Sequence, residues 1–459
     1  MTAANTTLPS DKIPLRKKIL FSTGDLSTSI PLAIIMFFQL YFLTDIARLP
    51  ADLAGWAIGI GKVWDAVNDP LFGLISDRIR SRYGRRRVVL LFGALPLGLT
   101  FMLMWLIPPF GKYAMMAYYA AAFILFDSFF TFIHVSYNSL TPEMTQDYDE
   151  RSSLNGFRMV FSIAGTLGAI ILATLLQEVV PDARKLFMIL GIALGIVSMI
   201  PPLVVFVVTK EKPMQEMPAA LPPKAAIKTT LSNRPFWYIM GLYLFSWTTA
   251  SIISAVLVYY ANYYLKVPDQ ANYFVLLAEA SAIMFIPFVV WLAKKLDKKR
   301  AFMIGMATWI LVLLGLALQQ PNQVLLAYIL AFLSGLGIAS AYVLPWAMIP
   351  DVIEMDELKT GQRREGSFYA FASFFQKLGT GLALWALGQA LAQAGYLTPV
   401  EGQPLPAQPE AAVNAIRMAI GLIPAVLLVV SILFAWRYPI TRQEHRHLRD
   451  QLIERGGEG

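Results

Sequence analysis

The sequence predicts an all-α, polytopic membrane protein whose twelve transmembrane helices form two six-helix bundles. Three observations carry that prediction: a large apolar excess, a one-sided distribution of basic residues, and a polar break near the middle of the chain. Of 459 residues, 57% are hydrophobic and only 15% are charged, whereas a soluble domain is about 45–50% apolar and about 25% charged. Such a composition excludes a disordered chain, a disulfide scaffold and a soluble enzyme. The absence of Cys also removes thiol chemistry and Cys-ligated zinc.

Apolar runs long enough to cross a bilayer are expected near 20–44, 52–76, 88–107, 113–140, 155–180, 186–208, 234–265, 270–293, 301–319, 323–350, 367–395 and 411–437. The first run follows Arg16-Lys17-Lys18. It is too long for a signal-peptide core and lacks a small-residue cleavage site, so no cleavable leader is expected. With the N-terminus in the cytoplasm, 29 of the 38 Lys and Arg fall on the cytoplasmic side, 5 on the other, and 4 inside spans. That asymmetry is what the positive-inside rule expects of an even number of spans with both termini cytoplasmic, in the cell membrane. The net charge of +8 is therefore a signature of topology, and no nucleic-acid partner is expected.

The longest connection is rich in Pro and Lys (Glu211-Lys212-Pro213, Leu221-Pro222-Pro223-Lys224). It divides the chain into an N-terminal bundle (1–208), a cytoplasmic linker (209–233), a C-terminal bundle (234–437) and a cytoplasmic tail (438–459). A short basic loop holding an acid follows the second span of each half: Asp77 to Arg87, then Lys294 to Arg300 around Asp297. This repetition fits two related bundles. The stretch from Thr441 to Asp450 reads as a short polar helix on the membrane surface, in contact with anionic lipid.

Charges inside spans are expensive and face a protein interior. In span 2, Lys62, Asp65 and Asp69 fall at i, i+3 and i+7, on one helical face. Two carboxylates four residues apart repel when ionised. A monovalent cation, a proton or the Lys62 ammonium relieves that repulsion, and Asn68 adds a neutral oxygen of the kind a hard cation accepts. In span 4, Asp127, Thr131 and His134 share a face among Phe126, Phe129, Phe130 and Phe132. Thr131 offers a hydroxyl to a cation, and Asp127 and His134 are candidates for substrate binding or proton coupling. Arg158 in span 5 and Lys377 in span 11 are isolated cations, each of which needs an anionic partner or substrate. Glu279 in span 8 is a weaker candidate. Asp25 and Asp45, near the ends of span 1, are expected to be solvated. Two loop clusters are candidates for gating: Asp77 with Arg82, Arg85 and Arg86, and Asp351 with Glu354, Glu357, Arg363 and Arg364. Surface pairs of this kind contribute little individually and would act by biasing two states.

Twelve spans in two halves with an acid-and-arginine loop after span 2 resemble the major facilitator superfamily. More narrowly, Lys62-Val63-Trp64-Asp65-Ala66-Val67-Asn68-Asp69-Pro70 resembles the glycoside–pentoside–hexuronide:cation symporters, whose best-known member is the melibiose permease. Tyr41-Phe42-Leu43-Thr44-Asp45, Thr131, Phe157-Arg158-Met159, Asp351-Val352-Ile353-Glu354 and Lys377 extend the likeness over nearly the whole chain. The resemblance implies a sodium site built from Asp65, Asp69 and Thr131 with Asn68 adjacent, and places Arg158 and Lys377 beside the cation and substrate sites. It also implies a departure. Sugar carriers of the family hold hydroxyls with carboxylates at positions that here read Ser29 and His134. The run Phe132 to Thr141 is similar to the sodium-dependent lysophosphatidylcholine transporters, a lipid-carrying branch.

The expectation is a monomeric secondary-active symporter working by alternating access, and not an enzyme. Sodium (with protons or lithium as other candidate coupling ions) neutralises the Asp65/Asp69 pair, and no organic cofactor is needed. The substrate is expected to be a sugar, glycoside or related solute, with a lysophospholipid or similar amphiphile as the alternative. A proton-coupled carrier and a membrane protein without transport activity are the remaining readings.

Overall fold

The computed structural model describes residues 13–145, 148–211, 230–321, 323–360, 365–400, 405–441 and 443–444. Twelve long helices follow one another: α1 (Leu15–Ile46), α2 (Ala51–Arg78), α3 (Arg87–Leu103), α4 (Lys112–Met144), α5 (Tyr148–Val179), α6 (Ala183–Val208), α7 (Arg234–Tyr264), α8 (Ala271–Leu296), α9 (Lys298–Leu318), α10 (Val324–Thr360), α11 (Glu365–Gln393) and α12 (Glu410–Arg437). No strand occurs among the described residues. An all-helical solution follows from the solvent, because hydrocarbon cannot satisfy a backbone N–H or C=O and a helix satisfies its own. Val179, Val207, Leu318 and Leu325 are each about three-quarters exposed and provide lipid-facing surface.

Every apolar run predicted from the sequence falls on one helix. Nine of the described helices are long and apolar enough to cross a membrane, and α3 is a shorter apolar one. The remaining two, α2 and α11, carry the intramembrane charges Lys62, Asp65, Asp69 and Lys377. The predicted ends differ most where apolarity stops before the helix does. The α10 helix continues through Pro345 and Pro350 to Thr360, and α5 begins at Tyr148, before the apolar run. Nearly all of the linker and of the tail's surface helix lies outside the described residues.

The chain resolves into two compact units. The first comprises Met1–Ile34, Val67–Ile107 and Ala121–Glu216; the second comprises Ile35–Ala66, Pro108–Ala120 and Met217–Gly459. Inside the first, α3 packs along α6, and α5 packs on α1 and α6. The α3–α6 contact depends on glycine. A Cβ on Gly98 would lie 2.5 Å from the Gly195 carbonyl oxygen, and one on Gly195 would lie 2.9 Å from the Gly98 carbonyl oxygen. Backbones this close are the usual route to helix association in lipid, where burial of apolar surface drives nothing.

The start of α3 is capped from the far end of α6. Glu211 accepts hydrogen bonds from the backbone N–H groups of Arg85 (2.8 Å), Arg86 (2.8 Å) and Arg87 (2.7 Å). It satisfies donors that a helix N-terminus leaves open, and its charge suits that end of the helix. Gly84 permits the approach: its φ is +100°, and a Cβ there would stand 2.5 Å from Glu211 Oε1.

In the second unit α10 packs on α8 and α9, while α7 packs on α11 and α12. This unit also exposes an internal repeat. Helix α1 ends in a π turn at Phe42–Ile46 and α7 ends in one at Tyr260–Tyr264. Each is followed by a basic residue in the left-handed region, Arg48 (φ 61°) and Lys266 (φ 59°), and then by an apolar residue and Pro. Leu49 N–H and Val267 N–H close the two turns on Leu43 O and Ala261 O, at 2.8 and 2.9 Å. Equivalent residues of the repeat touch each other. The rings of Tyr41 and Tyr259 meet edge-to-face at 5.8 Å, and Tyr263, 218 residues beyond Asp45, donates to it.

Gly98→Leu is expected to force α3 from α6 and to destabilise the protein by about 1–3 kcal/mol, seen as a lower melting temperature in detergent. Gly111→Leu, where an added Cβ meets nothing within 4 Å, is expected to leave the melting temperature unchanged.

Candidate functional site

A polar side chain on an apolar helix must find a partner before the helix is stable in lipid. Tracing those partners assembles the candidate site. In the first unit, α2 supplies Asn68 and α4 supplies Asp127 and Thr131, all three buried. Asn68 Nδ2 donates to the Asp127 carboxylate and, at 3.4 Å, to the Asp127 carbonyl oxygen. The Asn68 amide is thus turned so that its own oxygen is left over. Asn68 Oδ1 and Thr131 Oγ1 are both buried without a hydrogen-bond partner among the described residues. Thr131 follows Asp127 by one helical turn, so two unsatisfied neutral oxygens sit around one carboxylate. Phe72 and Phe132, with ring centroids 5.2 Å apart, close α2 onto α4 beside them. Asp69, next to Asn68, is half-buried.

The second cluster of this unit centres on Arg158 of α5. Its Nε donates to Asp25 Oδ2 at 2.8 Å and its Nη2 to Asp25 Oδ1 at 3.0 Å, a bidentate pair. The remaining donors reach Thr141 Oγ1 (2.9 Å) and Asn138 Oδ1 (2.6 Å). Tyr137 donates to Asp25 Oδ2 at 2.7 Å, and its ring lies 4.4 Å from the guanidinium carbon. Gly24 admits that ring, since a Cβ there would overlap it. The expectation that Arg158 requires an internal anion is met, but by a residue the sequence reading had assigned to solvent. Asp25 is 9% exposed, because Arg158 of α5 and Tyr137 of α4 pack against it. His134 stacks on Phe130, with centroids 5.8 Å apart, and its Nε2 lies 2.9 Å from Asn138 Nδ2, which joins it to the edge of the arginine cluster.

In the second unit Asp65 is 5% exposed and lies between two lysines. Lys62 Nζ is 2.9 Å from Asp65 Oδ2, and Lys377 Nζ is 2.6 Å from Asp65 Oδ1. Lys377 also donates to the Asp65 carbonyl oxygen at 3.2 Å. Close packing of α2 on α11 places it there: a Cβ on Gly388 would lie 2.7 Å from the Ala51 carbonyl oxygen, and Gln389 donates to the Asp52 carbonyl oxygen at 2.9 Å. The lone cation of span 11 thus has its anion, supplied by a residue 312 positions away.

Asp45 requires the same correction as Asp25. It is 5% exposed and held by hydroxyls: Thr44 at 2.6 Å, Tyr396 at 2.9 and 2.8 Å to its two oxygens, and Tyr263. Burial, and then the Asp45 charge, push the Tyr396 hydroxyl well above the usual phenol range, so it stays a donor. The short Tyr-rich end of α7 is the signal that sequence reading passed over.

The loop residues expected to gate have several partners among the described residues. Lys298 Nζ reaches both Asp351 oxygens, at 2.7 and 2.8 Å, and the Ala347 carbonyl oxygen at 2.8 Å. Lys298 belongs to the short basic loop, and Arg363 and Arg364, expected in one cluster with Asp351, lie outside the described residues. Arg86 donates from its side chain to the Ser139 carbonyl oxygen. Arg82 donates to the Tyr83 hydroxyl at 2.7 Å, while Arg85 and Arg86 use their backbone on Glu211. Glu354 and Glu357 are half-buried. The Asp77 side chain lies outside what is described.

Residues 20–442 match the family described as MFS/sugar transport protein. An uncharacterised symporter of Synechocystis sp. is 34% identical, covering 98% of this chain and 98% of its own. The sodium-dependent lysophosphatidylcholine symporter 1 of Xenopus tropicalis is 26% identical over 96% of this chain and 90% of its own. Among solved structures, that of a D-xylose–proton symporter superposes with a TM-score of 0.67 over 92% of this chain and 97% of its own, at 15% identity. This last likeness speaks to the fold.

Arg158→Ala should leave Asp25 as an uncompensated buried charge and destabilise the protein by about 3–5 kcal/mol. Adding Asp25→Asn to that variant should restore much of the loss. Chemical denaturation of the single and double variants measures both, and an additive double variant would show that the two residues do not act as a pair.

Proposed function

The chain belongs to the MFS/sugar transport family and is a multi-pass membrane symporter, not an enzyme; from that premise we propose that sodium is its coupling ion. The observation that carries the reading is the pair of buried, unsatisfied oxygens on Asn68 and Thr131, beside the Asp127 carboxylate. An unsatisfied buried acceptor costs about 1–3 kcal/mol. A ligand with no lone pairs of its own, a small hard cation, offsets that cost at both atoms together. Asp69 supplies the nearest further carboxylate along α2.

Asp65 has a coupling role in this proposal. With Lys62 and Lys377 on its two oxygens, its charge is already neutralised, so a cation competes with the two ammonium groups for it. Exchange between lysine and sodium changes what holds α2 to α11, which is how an ion can bias one state over another. The two halves of the chain, 1–208 and 234–437, then alternate access to ion and substrate. The distribution of Lys and Arg supports cytoplasmic termini.

For the substrate, a sugar, glycoside or related polar solute is favoured by the family to which the chain belongs and by the polar set around α4 and α5. Ser29 Oγ is buried without a partner among the described residues, and His134 and Asn138 lie near the arginine cluster, so hydroxyls would find both donors and acceptors. A lysophospholipid is the second reading. The relative from Xenopus tropicalis favours it, as do Ser29 and His134, which stand where carboxylates would otherwise grip sugar hydroxyls.

Three outcomes are expected. Sodium should raise the melting temperature of the purified protein, as any ligand that binds only the native state does. Asp69→Asn should shrink that rise, and Thr131→Ala should weaken sodium binding there about tenfold, 1.4 kcal/mol, with Thr131→Ser close to wild type. Lys377→Gln should alter the sodium dependence of uptake into proteoliposomes more than it alters folding. A full sodium response in Asp69→Asn and Thr131→Ala would end the proposal. The same assay against sugar and lysolipid panels separates the two substrates.

A further inference from the structure

Within the second unit, α7, α8, α9 and α10 enclose a cavity of ≈ 40 Å³, room for about three water-sized molecules. Most of its wall is apolar, and Glu279 of α8 is the single charged residue on it. Its situation differs from that of the other intramembrane carboxylates described above. Asp25 has Arg158, Asp45 has three hydroxyls, Asp65 has two lysines, Asp127 has Asn68 and Asp351 has Lys298. Among the described residues no side chain lies within hydrogen-bond or ion-pair distance of Glu279.

Three of the four hydroxyls on the wall have already given away their hydrogens. Ser254 has given its hydrogen to the Ala250 carbonyl (2.9 Å), Ser334 to the Ala331 carbonyl (2.6 Å) and Tyr260 to the Leu316 carbonyl (2.6 Å). Their lone pairs are what remain. Tyr342 adds a fourth hydroxyl, and no Lys, Arg or His lines the cavity. The spare donors are the Tyr342 hydroxyl and the indole N–H of Trp309, which is buried without an acceptor among the described residues. A carboxylate among acceptors calls for a positive charge. The volume admits only a small one, and a single carboxylate is too few for calcium or magnesium.

We propose that this cavity is a second monovalent-cation site, holding an alkali ion at Glu279 with a water or two. The hydroxyl oxygens of Ser254, Ser334, Tyr260 and Tyr342 complete its surroundings, and the accompanying water accepts from Trp309. The site is separate from the one proposed at Asn68 and Thr131 and rests on different observations.

Equilibrium binding of radiolabelled sodium to the purified full-length protein tests it. Wild type should bind two ions per chain, Glu279→Gln one, Asp69→Asn one, and the double variant none. Ser334→Ala keeps the carboxylate and guards against misfolding of Glu279→Gln. It should raise the half-saturating sodium concentration of one site several-fold and leave the other unchanged. Should Asp69→Asn still bind both ions while Glu279→Gln binds one, this site stands and the earlier one falls. A wild-type count retained in Glu279→Gln would overturn the proposal. So would a change confined to proton binding, since the cavity would then hold a proton and no alkali ion.

Discussion

In hydrocarbon a charged or hydrogen-bonding group has no solvent to fall back on, and the internal architecture of this protein is an inventory of how each is satisfied. The backbone is satisfied within twelve helices. Side chains are satisfied by partners brought from far along the chain: Asp25 by Arg158, 133 residues on, and Asp65 by Lys377, 312 residues on. Replacing such pairs with well-packed apolar residues is often neutral or stabilising, so a chain that keeps several has a use for charge inside the bilayer. Transport of an ion is such a use, because an ion needs places where charge is tolerated in passing.

Two chemistries of tolerance occur side by side. Asp65 is neutralised by ammonium groups, a strong and exchangeable arrangement, since one cation can stand in for another. Asp45 is held by hydroxyls, which leave its charge in place and spread it over hydrogen bonds. The Asn68–Thr131 neighbourhood is of a third kind, with two buried oxygens that no described residue hydrogen-bonds. Under the sodium proposal, these differences separate residues that act with an ion from residues that act as structure, although all of them are polar groups in apolar helices.

Most of the fold was legible because hydropathy is local. A run such as 186–208 declares its helix without reference to anything else. The α2 motif was also legible, since Lys62, Asp65 and Asp69 share a face by spacing alone, and the need of Arg158 and Lys377 for anions followed from cost. What could not be read was who met whom. Asp25 and Asp45 were assigned to solvent because apolarity stops near them, but neighbouring helices bury both. Lys298 looked like ordinary loop charge until α10 brought Asp351 to it. The repeat shared by Tyr41–Pro50 and Tyr259–Pro268 is plain once two π turns and two left-handed basic residues are superimposed. In the sequence it is veiled because few of its side chains coincide.

The clasp of Glu211 on the first turn of α3 has a mechanical side. Glu211 stands where α6 gives way to the long central connection, so the near end of that connection is moored to the body of the first unit by three amide hydrogens. The chain leaving α6 at Val208 is thereby held to the first unit as far as Glu211.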